Sequence, residues 1–294
     1  MKVVGIGGGH GLASSLQAAR LYSDEVAAVV TVADDGGSSG RLTRELGIPP
    51  PGDIRNCLVA LSDNTELSEL WQHRFTSGAL TGHTVGNLVI AALTERAGDF
   101  AEAVEAAGRL LSVKGHVYPA TTDRVALRAR VDGGVVKGQV AVAQTRSPIQ
   151  AVYLKPADPR AHEPAVEAIR AADQVVLGPG SLFTSLIATL LVPGIRQALV
   201  ETSARRVFVC NSRMQKGETE GLSAAAHVEA LMAHVGPFSV DAVVVQDPVV
   251  AEDGVVVDSD ALEFLNFDVI RADVARADGG HVPERLAEAL SPLT

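Results

Sequence analysis

The stretch that decides the fold is VVTVADDGGSSGRLTRELGIPPPGDIRN, residues 29–56. Its apolar, β-branched start predicts a buried strand that ends at Ala33, directly before Asp34 and Asp35. A loop of little side-chain bulk, a helix and a proline turn follow. The loop consists of Gly36, Gly37, Ser38, Ser39 and Gly40. A polar cluster after the prolines contains Asp53, Arg55 and Asn56. Ligands of open α/β sheets bind beyond the carboxyl ends of the strands, so acids beside bare backbone N–H groups suit a phosphorylated ligand. An ordinary βα turn with solvated carboxylates is the alternative.

The N-terminal segment repeats this order of strand, glycine turn and helix. Residues 2–6 predict a strand, GGGHG spans 7–11, and the apolar stripe of the next helix is Leu12, Leu16, Ala19 and Leu21. Gly8, Gly9 and Gly11 would let the backbone approach a phosphate at the helix N-terminus. The spacing is not a strict G-x-G-x-x-G, but the acids at 34 and 35 follow about 20 residues later, where dinucleotide folds place a ribose-binding carboxylate. NAD is therefore one alternative ligand, and a purely structural turn is another interpretation.

Further polar groups follow other predicted strands and loops. TGHTVGN, residues 81–87, precedes an apolar helix, and His83 and Asn87 would share a face if that helix has begun by His83; capping is the alternative. A third glycine-rich turn follows the strand at 174–177 and includes Gly178, Gly180, Ser181 and Thr184. Asn211 follows the strand RRVFVC. We expect these turns to meet at one rim of a sheet and to form a seat for a pyrophosphate.

The order of elements predicts a single α/β domain over residues 1–294, Rossmann-like, with a doubly wound and mostly parallel sheet. Residues 112–155 alternate apolar and polar side chains around Asp132-Gly133-Gly134 and predict an inserted antiparallel β-hairpin element. Within it, Arg124, Arg128 and Arg130 fall on alternate positions and are consistent with a solvated surface. Residues 64–80 predict a helix with Trp71 in the core, VDAVVVQD predicts the last clear parallel strand, and FDVIRADVAR predicts an irregular one.

Composition excludes several classes of function. Hydrophobic residues make up 47% of the chain, and a net charge of -10 disfavours sequence-independent nucleic-acid binding, which needs a basic face. Cys57 and Cys210 lack metal spacing and predict reduced thiols. The chain starts with a strand rather than a leader, and no run reaches the roughly 18 apolar residues of a membrane span. We therefore expect a cytoplasmic protein with no membrane span.

Few catalytic motifs are present. G-x-S-x-G, H-E-x-x-H and C-x-x-C do not occur, and the eight histidines are too scattered to predict a zinc site. Asp34, Asp35 and Asp53 could supply oxygen ligands to Mg²⁺, with Asp35 and Asp53 as the preferred pair. The alternative is an Asp53–Arg55 pair that only orders the loop.

Five segments carry a resemblance to a known family: GGGHG, VTVADDGGSSGRLTRELGIPPPGDIRNCLVAL, TGHTVGNL, GPGSLFTSL and CN-x-x-M-x-x-GET. Together they resemble the bacterial gluconeogenesis factor (YvcK-like) family across nearly the whole chain. The resemblance implies a Rossmann-like fold and a cytoplasmic protein needed for growth and cell shape on gluconeogenic carbon sources. It also implies binding of a nucleotide-type ligand, UDP-N-acetylglucosamine in the best-understood members, with no established enzymatic activity.

The chain is more distantly similar to 2-phospho-L-lactate transferase (CofD-like). The shared elements are the N-terminal glycine turn, the acidic pair, a P-x-D turn and a G-P…T-S-L…P-G-x-R run, which match Gly8, Gly9, Gly11, Asp34, Asp35, Asp53, Gly178, Pro179, Thr184, Ser185, Pro193, Gly194 and Arg196. In the transferase a second metal-binding aspartate follows two residues after the P-x-D aspartate. Arg55 stands at that place here, which weighs against metal-dependent phosphoryl chemistry but not against anion binding.

Three hypotheses follow. The leading one is a nucleotide-sugar-binding regulator in which Asp34 or Asp35 binds ribose or sugar hydroxyls, the turns at 8–11, 36–40 and 178–181 hold the diphosphate, and Asn56, His83, Asn87 and Asn211 complete a polar wall. The second is a transferase acting on a nucleotide-activated phosphorylated acid, with Mg²⁺ on Asp35 and Asp53. The third is a protein that binds NAD, without evident proton-relay residues for hydride chemistry. A homo-oligomer and protein partners in cell-wall regulation stay open.

Overall fold

The computed structural model describes residues 1–236, 240–265, 267–277 and 279–293. The strands of this part of the chain are β1 Lys2–Gly7, β2 Glu25–Val30, β3 His116–Pro119, β4 Ala126–Val131, β5 Gly134–Lys137, β6 Ile149–Lys155, β7 Gln174–Leu177, β8 Arg205–Val209, β9 Ala242–Gln246 and β10 Asp268–Ala272. Seven of them form one sheet in the order β10-β9-β8-β7-β1-β2-β3. All neighbours in this sheet run parallel.

Helices cover both faces of this sheet. Their bounds are α1 Gly9–Ala19, α2 Gly37–Leu46, α3 Gly52–Ala60, α4 Thr65–Gln72, α5 Val85–Ala97, α6 Phe100–Leu110, α7 Gln139–Ala143, α8 Glu163–Arg170, a π-helical turn at Leu182–Ile187 continued by α9 Ala188–Leu190, α10 Pro193–Glu201, α11 Ala224–Val235, α12 Ser259–Phe264 and α13 Pro283–Leu290, with a 3₁₀ turn at Ser291–Leu293. Successive strand residues point to opposite faces, so Val3 joins the apolar core beneath α1, α3 and α13, while Val4 joins the core on the other face. Burial on both faces explains why these strands are continuous apolar runs.

The connectivity confirms the predicted doubly wound α/β class. The chain builds outward from β1 through β2 to β3, then returns beside β1 with β7 and builds outward in the other direction. The strand order therefore reverses between β1 and β7. In such sheets the crevice outside the carboxyl ends at this switch point is where ligands bind.

The smaller antiparallel sheet has the order β5-β4-β6, with the predicted turn at Asp132-Gly133 between β4 and β5. The predicted start of the insertion at residue 112 differs from the structure, because β3 pairs in parallel with β2 and belongs to the main sheet. Its exposed His116 next to buried Val117 gives the alternation of an edge strand, which resembles that of a hairpin. FDVIRADVAR likewise contains a regular parallel strand, β10.

Several local predictions were wrong for identifiable reasons. The glycine-rich segment after Asp35 is not a loop: α2 begins at Gly37, and a Cβ on Gly40 would overlap the Asp35 carbonyl group, so glycine lets this first turn close. β2 ends at Val30, three residues before Ala33. The helix predicted over 64–80 ends at Gln72. Leu21 is 59% exposed and lies outside the core, whereas Trp71 is buried as predicted.

Within the described chain, no single helix is long and apolar enough to cross a membrane, although the bent pair Leu182–Leu190 and Pro193–Glu201 passes a test of length and composition.

Candidate functional site

The first and third glycine turns meet at the switch point of the sheet. A Cβ on Gly11 would lie 2.6 Å from the carbonyl carbon of Pro179 and 2.8 Å from the amide nitrogen of Gly180. The Ser15 hydroxyl donates to the Gly178 carbonyl oxygen at 2.8 Å. Only a residue without a side chain allows this approach of the two backbones. The two turns thus lie on the same rim, as the sequence predicts.

Asp53 lies beneath the first glycine turn, in the first turn of α3. Its carboxylate accepts a hydrogen bond from the Gly9 amide, and protein atoms enclose the carboxyl group although part of the residue stays accessible. Burial, reinforced by the charge of Asp34, raises the pKa of Asp53 to about 7, against the opposing effects of the Gly9 hydrogen bond and Arg55. Its carboxyl group therefore titrates near neutral pH.

Asp34 is the second acid of this cluster. Its Oδ1 accepts from the Gly36 amide at 2.9 Å, and the Ser39 hydroxyl also donates to it. Ser39 Oγ in turn accepts from the Gly52 amide at 3.1 Å, which ties α2 to α3. Burial first, then the charge of Asp35, raises the pKa of Asp34 above its ordinary value. Two neighbouring carboxyl groups with raised pKa values favour either a proton or a cation between them.

Asp35 faces a different part of the molecule. It is exposed, and its Oδ1 accepts from the Val140 amide at 2.9 Å, in the first turn of α7. A Cβ on Gly138 would overlap Asp35 Oδ2, so the backbone before α7 passes directly beside this carboxylate. Asp35 therefore joins the small antiparallel sheet's helix to the rim of the main sheet.

Arg55 does not form the ion pair with Asp53 that was considered from the sequence. It is buried, and in the described chain it forms no salt bridge. Its guanidinium donates to Thr84 Oγ1 at 2.6 Å, to Asn87 Oδ1 at 2.8 Å and to Asn56 Oδ1 at 2.7 Å. Burial, with the nearby charge of Arg74, lowers the pKa of Arg55 to about 10, against the effects of Asp53 and Asp34. Arg55 is thus a charged support for the polar wall.

These hydrogen bonds lead on to Ser38 and His83 and allow an assignment of their protons. An arginine only donates, so Asn87 must turn Oδ1 to Arg55 and Nδ2 to Ser38 Oγ, 3.0 Å away. The proton of the Ser38 hydroxyl remains for His83 Nδ1, 2.9 Å away, and we assign this arrangement, in which neutral His83 carries its proton on Nε2. Burial, followed by the charge of Arg41, lowers the pKa of His83 and favours this neutral form.

The third glycine turn is satisfied by groups of the protein itself. Glu218, which was not predicted as a site residue, is buried and accepts from Thr184 Oγ1 at 2.7 Å and from the Phe183 amide at 3.3 Å. Burial raises the pKa of Glu218 in spite of these hydrogen bonds. Asn211 both accepts from the Gly180 amide at 3.0 Å and donates to the Gly180 carbonyl oxygen at 2.9 Å. A carboxylate of the chain thus lies where the sequence predicts a phosphate.

The structure separates the predicted site residues into three groups. Around the first turn and α2–α3 lie Gly8, Gly9, Gly11, Asp34, Gly36, Gly37, Ser39 and Asp53. The network centred on Arg55 contains Ser38, Asn56, His83 and Asn87. The third turn contains Gly178, Gly180, Ser181, Thr184 and Asn211. Asp35 belongs to none of these groups. Glu218 was not predicted as a site residue, and the only sequence motif that contained it was the GET segment.

Comparisons with known proteins agree with this architecture. The chain matches the family model described as 2-phospho-L-lactate transferase CofD over residues 3–275. The gluconeogenesis factor of Halalkalibacterium halodurans is 41% identical over 307 residues, which cover 97% of this chain and 95% of the relative. The gluconeogenesis factor of Bacillus subtilis is 45% identical over 247 residues, 83% of this chain and 78% of the relative. A crystal structure of a UPF0052 family member from Bacillus halodurans has a TM-score of 0.95 at 39% identity and covers 98% of both chains. The chain belongs to the gluconeogenesis factor family.

Proposed function

We propose that this protein is a cytoplasmic regulator of growth and cell shape under gluconeogenic conditions that binds a nucleotide sugar of the UDP-N-acetylglucosamine type. The relatives named gluconeogenesis factors support the metabolic part of this proposal. The ligand part depends on one observation: two glycine turns meet at the switch point of the sheet above a pair of carboxyl groups with raised pKa values. This is the place and the chemistry that nucleotide ligands use in doubly wound folds.

The diphosphate belongs on the N-terminal side of the crevice. A Cβ built on Gly9 or on Gly37 would meet no atom within 4 Å, so there is open space beside the first turns of α1 and α2. On the opposite side, the Phe183 amide already donates to Glu218, and a Cβ on Gly180 would meet the Gly8 carbonyl oxygen at 3.2 Å, so less space is open there. Asp34 then accepts from sugar or ribose hydroxyls, and neutral His83 offers its Nε2 proton to the ligand.

Calorimetric titration with UDP-N-acetylglucosamine tests the proposal. Asp34→Asn should weaken binding at least tenfold, because it removes a charged hydrogen-bond acceptor for the ligand, a loss of about 1.4 kcal/mol. The matched control is Glu66→Gln, the same loss of charge at an exposed position of α4. Absence of binding by the wild type, or equal affinity of the Asp34 variant and the wild type, would contradict the proposal.

A metal-dependent transferase acting on a nucleotide-activated phosphorylated acid is the second candidate. The charge of Asp34, which helps to raise the pKa of Asp53, and the match to the transferase family model favour it. The described residues contain no group of three or more His, Cys, Asp or Glu side chains suited to a metal. Mg²⁺, however, needs only one or two carboxylates when a ligand supplies phosphate oxygens. Asp53 with Asp34 fits this requirement better than Asp53 with Asp35, because the charge of Asp34 acts on Asp53 whereas Asp35 faces α7. A bound Mg²⁺ would neutralise charge on the phosphates.

A product assay separates the two candidates. The transferase would pass the phosphorylated acid from its nucleotide to the hydroxyl of an acceptor alcohol in the presence of Mg²⁺, releasing a nucleoside monophosphate, and Asp53→Asn would abolish the release. Binding of the nucleotide sugar without turnover of any activated acid would leave the regulator as the function. NAD is a third ligand for the same titration, and preferential binding of NAD would exclude the nucleotide sugar as the main ligand.

A further inference from the structure

Positive charge is concentrated in the small antiparallel sheet and its connections. Residues 124–160 contain seven Lys and Arg side chains but two Asp, a net charge of +5 in a chain whose total is -10. The remainder of the chain therefore carries -15. This separation of charge shapes the electrostatic potential around the protein and therefore affects which partners approach the small sheet.

The strand register places this charge on one face. Leu127, Ala129 and Val131 of β4 are buried in the core, so the alternate residues Arg128 and Arg130 point to the other side of the sheet. Arg130 is exposed and Arg128 is half-buried. The buried residues fix the register, because a slip by one position would turn the arginines into the core.

Neighbouring strands add further cations and two apolar groups to the same face. Arg128 is directly opposite Lys137 of β5 and Tyr153 of β6. Arg130 is opposite Val135, which is 48% exposed, and Lys155 stands opposite Ala126. We call this set the basic face: Arg128, Arg130, Lys137, Lys155, Val135 and Tyr153. Like charges directly opposite each other destabilise a sheet, so the Arg128–Lys137 pair is unfavourable in the isolated chain.

No acid of the described chain neutralises these cations. Salt bridges there use other basic residues, such as Arg205 with Asp268, and none involves a cation of the basic face. Arg128 Nε is also buried without a hydrogen-bond partner. The acid nearest in the sequence, Asp132, accepts from Gln150 at the hairpin turn. The basic face is therefore a charged surface that lacks a complement.

We propose that the basic face is a docking surface for an extended acidic segment of a partner protein. Acidic side chains at alternate positions of such a segment would match Arg128 and Arg130, while Tyr153 and Val135 offer apolar contact between the cations. A long polyanion such as DNA, or an anionic membrane, is disfavoured because the remaining -15 of the chain would repel it. A short acidic segment avoids that repulsion.

The test uses a fluorescein-labelled (Glu-Ser)5 peptide and fluorescence anisotropy on the full chain. We expect binding that weakens as salt rises, because the contacts are exposed ion pairs. Arg130→Glu with Lys137→Glu should weaken binding at least tenfold, about 1.4 kcal/mol, because two attractive contacts become repulsive. Both side chains are exposed, so the variant should keep its fold, which circular dichroism checks.

The matched control is Arg44→Glu with Lys114→Glu, the same charge change at exposed positions of the main α/β body. It should bind the peptide as the wild type does. Equal loss in both variants would show that net charge alone governs binding and would overturn the proposal. So would failure of the wild type to bind the peptide, or preferential binding to a double-stranded oligonucleotide or to phosphatidylglycerol vesicles. Sedimentation of the full chain is the last check. Self-association through this face would mean that a second copy of the chain, not a partner protein, occupies it, and would overturn the proposal.

Discussion

The two sides of the crevice begin from the same sequence device, a glycine turn between a strand and a helix, but they differ in what satisfies their polar groups. On the β7 side, the Gly180 amide donates to Asn211, and the Phe183 amide and the Thr184 hydroxyl donate to Glu218, so side chains of the protein itself bind the turn. On the β1 side, the Gly9 and Gly36 amides donate to Asp53 and Asp34, but a Cβ on Gly9 or Gly37 would meet no atom within 4 Å, so space stays open beside the turns. The comparison teaches that a glycine turn indicates close backbone approach, whereas ligand binding also requires open space beside the turn.

The pH dependence of stability should show the largest difference between the two sides. Asp53 has a pKa raised to about 7 in the folded chain against 3.8 for an ordinary aspartate. Its stabilising contribution is therefore fully present below pH 3.8 and is lost as the pH rises to about 7. The maximum slope is roughly 1.4 kcal/mol per pH unit and flattens near both pKa values, so about 3 kcal/mol is lost between about pH 4.5 and pH 7.5. In urea unfolding at a series of pH values, the Asp53→Asn variant should not show this loss of unfolding free energy with rising pH.

Two checks accompany this prediction. Asp63→Asn, at an exposed acid, should keep the slope of the wild type. If Mg²⁺ binds at Asp53, it should stabilise the wild type more at pH 8 than at pH 6, since a proton competes with the metal. Identical slopes for Asp53→Asn and the wild type would show that the folded chain does not hold the Asp53 proton.

Gly11→Ala should push the first and third glycine turns apart. The new Cβ would lie 2.6 Å from the Pro179 carbonyl carbon, which is backbone and cannot move alone. We expect the free energy of unfolding to fall by about 2–3 kcal/mol, as in overpacked cores. Gly108→Ala is the control: its Cβ would meet ordinary contacts at 3.6 Å or more inside α6, and alanine should stabilise that helix by roughly 0.5–1 kcal/mol. Equal stability of both variants would contradict the observed contact between the turns.

Glu218→Ala tests the occupied side. It leaves the Phe183 amide and the Thr184 hydroxyl without their acceptor, and we expect a loss of about 2 kcal/mol in chemical unfolding. Glu218→Gln retains an acceptor oxygen and should lose less. Affinity for UDP-N-acetylglucosamine should be unchanged in Glu218→Gln, because the diphosphate is proposed to bind on the other side. A tenfold change in that affinity would move the phosphate site to the β7 side.

Ser38→Ala should give the smallest effect, about 1 kcal/mol of unfolding free energy. The change removes the partner of both Asn87 Nδ2 and His83 Nδ1, and His83 then loses the hydrogen bond that fixes its tautomer. Nitrogen NMR of the histidine ring measures this directly as a shift away from a pure Nε2–H form. Ser181→Ala, on the occupied side, should leave the His83 signals unaltered, and a change there would contradict the separation of the two networks.

The sequence was sufficient for the sheet and for the meeting of the glycine turns, because both follow from local patterns and from the rule that parallel strands share a rim. It was insufficient for the contacts made by long side chains. Arg55 was expected to meet Asp53, two residues away, but its partners Thr84 and Asn87 lie about 30 positions further along the chain. Glu218 reaches Thr184 from a turn 34 residues later, and no local pattern encodes such a distance. β3 was misassigned because an edge strand and a hairpin strand produce the same alternation.

The hydrogen bond between Asp35 and the Val140 amide has a mechanical consequence. Asp35 is the immediate neighbour of Asp34, so any rotation of the backbone that re-aims Asp34 towards a ligand also pulls on the start of α7. The strands that carry Arg130 and Lys137 are continuous with that helix. A movement of Asp35 would therefore be passed through α7 to β5, the strand that contributes Lys137 to the basic face.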